Sequence, residues 1–115
     1  MAHLIGDWLL QTEWQAVNKD SDWKALAVHL LIYHLVVAVV LLWGFDTPLA
    51  QVGIVLVPLI VLHAIFDRRN FVRQLMKLLR IAVTREPGGW LIIAVDQALH
   101  LLLLGATTLY LSSLP

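Results

Sequence analysis

The chain has 115 residues, eight acidic and eight basic side chains, and a hydrophobic fraction of 60%. So apolar a composition is unusual for a soluble domain and points to a membrane protein, and the balanced charge gives no global excess to suggest nucleic-acid binding. Cysteine is absent, which excludes thiolate metal sites and disulfides.

The chain opens on MAHLIGDW, which lacks the basic start of a cleavable signal peptide, and none is expected. In HLIGDWLLQTEWQAVNK, His3, Asp7 and Gln11 recur at i, i+4, i+8, one polar stripe on a helix. Ile5, Trp8, Leu9 and Leu10 cover much of the remainder. At about 16 residues this segment is marginal for a full span. It is expected as a short or tilted membrane helix whose stripe faces protein; an interfacial or re-entrant helix is the alternative.

Two apolar runs follow, Lys24 to Gly44 and Leu49 to Phe66. Each approaches the roughly 20 residues that a spanning helix needs. The Gly-Phe-Asp-Thr-Pro turn between them makes an antiparallel hairpin, and Pro58 should kink the second run. Next comes DRRNFVRQLMKLLRIAVTREPGG. Arg69, Arg73, Lys77 and Arg80 recur at helical spacing, with Phe71, Leu75, Leu78 and Ala82 on another face. The pattern predicts a basic amphipathic helix for an anionic headgroup layer, ending at Pro87-Gly88-Gly89. An ordinary solvated loop fits the charges equally well. The last run, Trp90 to Leu111, is long enough to span yet carries Asp96, Gln97 and His100.

The expected fold is therefore all-α. It is a single compact domain over 1–115, with three long transmembrane helices, a short N-terminal membrane helix and a basic interfacial helix. Six of the eight basic residues lie between Arg68 and Gly89, and Lys19 and Lys24 lie in the other loop on that side. The positive-inside rule places this side in the cytoplasm, which predicts a multi-pass membrane protein.

Chemistry concentrates in three His/Asp pairs at i, i+4 spacing: His3 with Asp7, His63 with Asp67, and Asp96 with His100. His29 is a fourth contributor, and Tyr33 shares its face. Such spacing lets one helix give two ligands to one metal. By rise alone, His63, His29 and Asp96 lie roughly 6 to 9 Å from the cytoplasmic helix ends, and Asp7, His34 and His100 roughly 15 Å. An Asp near the middle of a membrane helix costs about 2.5–3.5 kcal/mol on insertion scales, so such groups face a bundle interior and find partners. One pair alone is most simply a structural device. Three pairs on three segments point to one site.

The expected metal ligands are His3, Asp7, His29, His63, Asp67, Asp96 and His100. They suit zinc, manganese or iron, as one or two ions. Asp7 and Asp96 are the candidate catalytic carboxylates. Gln11, Lys19, Tyr33 and Gln97 are expected behind the ligands or on a substrate. His34 points about 140° away from His29 and ranks below it. Trp23, Trp43 and Trp90 at helix ends fit an interfacial belt, and Trp8 and Trp14 an apolar or interfacial surface.

The ordered elements HLIGDWLLQ, Lys19, HLLIY, HAIFD and DQALH resemble an uncharacterised family of small bacterial membrane proteins, the domain of unknown function numbered 3307. The resemblance spans His3 to His100, leaves His34 outside its pattern, and implies a place in the bacterial inner membrane and membership without a mechanism.

The leading functional expectation is metal-assisted hydrolysis or transfer on a lipid headgroup or phosphoester. An unligated Asp would act as general base, and Arg69, Arg73, Lys77 and Arg80 would gather anionic membrane lipids. The alternative is a metal-ion or proton transporter using the same His/Asp chain, for which a homo-oligomer would supply a larger pathway. A haem- or quinone-binding subunit ranks third, because haem does not need the carboxylates. A scaffold in which the pairs serve only packing stands beside these.

Overall fold

The computed structural model describes residues 2–80 and 89–114, and all of its regular structure is helical. Helix α1 runs Ala2–Leu4 and continues as a wider π-helical turn over Ile5–Leu9. Helix α2 is Glu13–Asn18. Helix α3 is Trp23–Val39 and also ends in a π-helical turn, Val40–Gly44. Helices α4, α5 and α6 are Leu49–Phe66, Arg69–Leu78 and Trp90–Ser112.

Three helices, α3 with its π-helical end, α4 and α6, are long and apolar enough to cross a membrane. Helix α3 packs on α4, and α4 on α6; α1 and α2 lie against α3, and α5 bridges α4 and α6. The usual inside–outside pattern is inverted. Leu31, Leu35, Ile54, Val57, Leu102 and Leu109 point outward, whereas His29, His63, Asp67 and His100 are buried. Among the described residues of α6, His100 is the one that is fully buried. Water would penalise such an outer surface, whereas hydrocarbon would not.

The N-terminal segment departs from the expected single helix. Its first helix stops at Leu9. Thr12 then starts α2 with a capping box: its hydroxyl accepts from Gln15 N–H at 3.3 Å, and Gln15 Oε1 accepts from Thr12 N–H at 2.8 Å. Gln11 therefore stands in the break and not on a helical stripe. At roughly 1.5 Å per residue, α1 is too short to cross the hydrocarbon by itself.

Helix α5 also differs from expectation. It ends at Leu78, and Arg80 follows in a left-handed conformation with φ 55°, so Arg80 is not on the helix. Val72 and Met76 are its buried residues, whereas Leu78 is exposed and Phe71 and Leu75 are half-buried. The apolar face is thus turned from the one expected, because α5 packs into the corner between α4 and α6 and does not lie free. Ala82 and the Pro87-Gly88 terminator fall outside the described residues.

At one end of the bundle, Val37 and Leu41 of α3 pack with Val52, Val55 and Leu59 of α4, and Leu103, Leu104 and Leu111 of α6 lie against them. At the other end the core is polar.

Candidate metal centre

Tyr33 stands at the centre of the polar end. The rings of all five histidines lie around it, with centroids 4.2 Å away for His63, 5.1 Å for His34, 5.9 Å for His3, 6.1 Å for His29 and 6.4 Å for His100. Helix α1 reaches it because residue 6 is glycine. A Cβ there would lie 2.7 Å from Tyr33 Cδ2 and 3.2 Å from its Cα, and Tyr33 is itself buried. Gly6 thereby lets the backbone carry His3 and Asp7 inward.

Four ligand atoms converge beside this ring. His29 Nε2 lies 3.2 Å from Asp7 Oδ1, 3.3 Å from Asp67 Oδ2 and 3.3 Å from His63 Nε2. His63 Nε2 is also 3.3 Å from Asp67 Oδ2. All four residues are buried and offer ligand atoms within 4.8 Å of one another. An ion bound tetrahedrally at ~2.0 Å holds its ligand atoms about 3.3 Å apart. The donor set therefore already has the edge lengths of such a site along four of its contacts.

The orientation of each ring fits the same reading. The Gln11 amide makes most bonds with Oε1 toward Lys19 Nζ (2.9 Å) and His29 Nδ1 (3.2 Å), and with its nitrogen donating to the Asp7 carbonyl. His29 Nδ1 is thus spent on Gln11, and Nε2 is left to face the carboxylates. Nδ1 of His63 has no hydrogen-bond partner. That ring is wedged edge-on between Tyr33 and His100, the latter 4.3 Å away.

A second group adjoins the first. Asp67, Asp96 and His100 also bring ligand atoms together. His100 Nδ1 donates to the Asp96 carbonyl at 2.7 Å, so in a neutral ring the lone pair would sit on Nε2. That nitrogen is buried without a hydrogen-bond partner, 3.8 Å from Asp67 Oδ1. With the ring neutral, two electron-rich atoms would face each other there, an arrangement that a cation between them would stabilise. Asp67 belongs to both groups.

His3 is placed behind this shell, with both nitrogens engaged. Its Nδ1 accepts from the Tyr33 hydroxyl at 3.1 Å, and its Nε2 donates to Gln97 Oε1 at 2.8 Å. Trp8 Nε1 donates to the same oxygen at 2.9 Å. The Gln97 amide nitrogen donates to Asp7 Oδ2 at 2.7 Å and Asp96 Oδ2 at 3.3 Å. Burial lowers the His3 pKa more than Gln97 and Asp7 raise it, which favours the neutral ring this chain of bonds requires. The three sequence pairs thus end differently. His63 and Asp67 meet directly, Asp96 and His100 meet at 3.6 Å, and His3 reaches Asp7 through Gln97. His34 is buried but donates Nδ1–H to the Leu30 carbonyl at 2.8 Å, outside both groups.

Lys19 supplies the local positive charge. Its Nζ lies 2.7 Å from Asp67 Oδ1, as an ion pair out of line for a hydrogen bond, and 3.2 Å from Asp7 Oδ1. Burial by itself would raise both carboxyl pKa values. Hydrogen bonding by His29 at Asp7 and by His63 at Asp67, with the Lys19 charge at each, outweighs burial and holds both well below the usual carboxylate range. Burial would lower Lys19, but Asp67 and Asp7 outweigh it and raise the ammonium. A cleft of about 350 Å³ opens onto this group, lined by Asp7, Lys19, Asp67, Asp96 and Gln97 at one end and by Trp8, Ile92 and Ile93 on an apolar side.

The family model described as Protein of unknown function (DUF3307) matches residues 1–114. The chain belongs to this family. No curated protein and no solved structure matches the chain. Membership thus agrees with the resemblance carried by the His-x3-Asp and Asp-Gln-x2-His elements.

Three residues of the site are not singled out by spacing. Gly6 carries a sequence signal, a glycine within a helix between two polar residues. Trp8 is half on the surface, as expected for an interfacial tryptophan, but also donates to Gln97. Arg68 stacks over Trp23 at 4.1 Å and donates to the Asp20 carbonyl, while Asp20 Oδ1 accepts from Arg69 N–H at 2.8 Å. These contacts clamp the Lys19 loop to the start of α5. Arg69 also lines the cleft, whereas Arg73, Lys77 and Arg80 lie on the exposed surface.

Proposed function

We propose that this chain is a multi-pass protein of the bacterial inner membrane that binds a divalent transition metal between Asp7, His29, His63 and Asp67. The convergence of those four buried ligand atoms, with contacts of 3.2–3.3 Å, carries the reading. Asp67, Asp96 and His100 would take a second ion, with Asp67 bridging. Zinc fits the nitrogen–oxygen donor set, and manganese or iron would accept it with added ligands. Gln11 and Gln97 would hold the ligands in place from behind.

The chemistry this site supports best is hydrolysis or group transfer on an amphiphile. A bound ion supplies Lewis acidity and an activated water. With only the first ion bound, Asp96, which lines the cleft, would be free of ligation and would accept a proton. Trp8, Ile92 and Ile93 would face an acyl chain while the headgroup reaches the carboxylate end. Arg73 and Lys77 on exposed α5 would hold anionic lipid nearby. Opposite the cleft, the apolar packing of Val37, Leu41, Val52 and Val55 closes the bundle, which favours a one-sided site over a transport path.

The test is metal content per protomer after purification in detergent and supplementation with zinc, manganese or iron. One or two ions are expected in the wild type and none in Asp67→Asn, which removes a charge from both groups. A wild type that takes up no metal under any supplementation overturns the reading.

A further inference from the structure

Lys19 is the feature that the proposed function leaves unexplained. Its ammonium approaches the same atoms that would bind an ion: Asp67 Oδ1 at 2.7 Å, Asp7 Oδ1 at 3.2 Å and His29 Nε2 at 3.5 Å. No other lysine or arginine among the described residues pairs with Asp7 or Asp67. The head group is largely buried, yet its side chain lines the open cleft. Its backbone lies in the loop between α2 and α3, which Arg68 and Asp20 clamp to α5. A flexible four-carbon stem on a fixed anchor can withdraw its charge without refolding anything.

We propose that Lys19 is a resident cation. It holds Asp7 and Asp67 together until a divalent ion displaces it, and it then binds a phosphate-type anion in the cleft. This rests on the metal site proposed above. Charge decides the direction of the exchange. Two carboxylates and one ammonium leave a net negative charge, which a divalent ion in place of the ammonium removes. A monovalent ion gains nothing by the exchange, so Lys19 makes the site selective for divalent ions. Once an ion is seated, a nearby ammonium is repelled by it and moves outward. Among the described residues Arg69 is the other basic residue lining the cleft there, while Glu13, Asp20 and Asp96 line it with negative charge. Asp20 is already committed to the Arg69 backbone. An anion would thus be held between the ion and the withdrawn Lys19 and not at the acidic rim. Ion binding would precede anion binding.

The experiment compares the full-length wild type with Lys19→Met, Lys19→Gln and Lys19→Arg in detergent, each checked for folding by thermal unfolding. Zinc and manganese affinities are measured by chelator competition, and inorganic phosphate binding by calorimetry on the ion-loaded protein. Lys19→Met and Lys19→Gln should bind the ions about tenfold more tightly than wild type, and Lys19→Arg no more tightly. Phosphate should bind ion-loaded wild type and weaken by about tenfold in the two neutral variants, with recovery in Lys19→Arg. Equal or weaker ion binding by both neutral variants overturns the exchange. Unchanged phosphate binding overturns the anion role. If wild type takes up no ion but the neutral variants do, the exchange stands and the metal reading of the native chain falls. If none does, both fall.

Discussion

The two ends of this bundle are built on opposite terms. At one end Val37, Leu41, Val52 and Val55 pack by shape alone. At the other, five imidazoles, three carboxylates, a phenol, two amides and an ammonium meet, and most of their polar atoms are committed to hydrogen bonds or ion pairs. In an apolar surrounding, contact between helices at the first end gains only dispersion, because lipid tails pack against leucine equally well. The polar end is specific, since each of its groups would be costly alone in lipid. The bundle is therefore registered at its polar end and only filled at its apolar end.

The largest expected effect comes from breaking the polar end at its shared point. Asp67→Asn should abolish uptake of both ions, read as metal per protomer, because both groups lose the same charge. A variant that keeps one ion would show the two groups to be independent. Next, His29→Ala and His34→Ala separate ligation from burial on one helix. Both rings are buried, but only His29 presents a nitrogen to the carboxylates. His29→Ala should weaken ion binding by about 100-fold or more, and His34→Ala by less than about tenfold. Equal losses would mean that the ion lies nearer His34.

Gly6→Ala tests whether the approach of α1 matters. Its new methyl must push the backbone off Tyr33, which carries Asp7 away from His29. Ion affinity should fall by about tenfold or more with ligand chemistry untouched. Unchanged affinity would show that α1 has slack. The smallest effect on the site should come from the opposite end. Val55→Ala should lower thermal stability by about 1–3 kcal/mol and leave ion affinity unchanged. A loss of ion binding there would couple the two ends through Tyr33, which packs with Val55 in the apolar cluster and also stands among the histidines.

How much of this could be read from the chain follows the range of each interaction. The second span is expected at Leu49 to Phe66 and found there, because turn residues at one end and Asp67 with two arginines at the other bound it. The pairs on α4 and α6 are local geometry, so spacing alone placed their partners on one face. The N-terminal stripe misled because a period of 3.6 was carried through Ile5–Leu9, where the backbone takes a wider turn. The signal that would have corrected it, Thr12-x-x-Gln15, is a capping box and was present. The basic spacing predicts Arg80 on the helix, which its left-handed backbone excludes, and nothing in its neighbours announces that conformation. The position of Lys19 could not be read from periodicity. It lies in a loop, and its partners are brought to it by α1 and α4.

The amide of Gln97 has a consequence for the whole polar end. A carboxylate only accepts and an ammonium only donates, but an amide does one at each tip. Here the oxygen faces two N–H groups, from His3 and Trp8, and the nitrogen faces two carboxylates. The hydrogen bonds from Tyr33 through His3 and Gln97 to Asp7 therefore all run the same way, like a line of arrows. Turning the amide over would set like against like at four contacts at once. Neither Glu nor Lys could replace it, since the position is a junction that must tell its two sides apart.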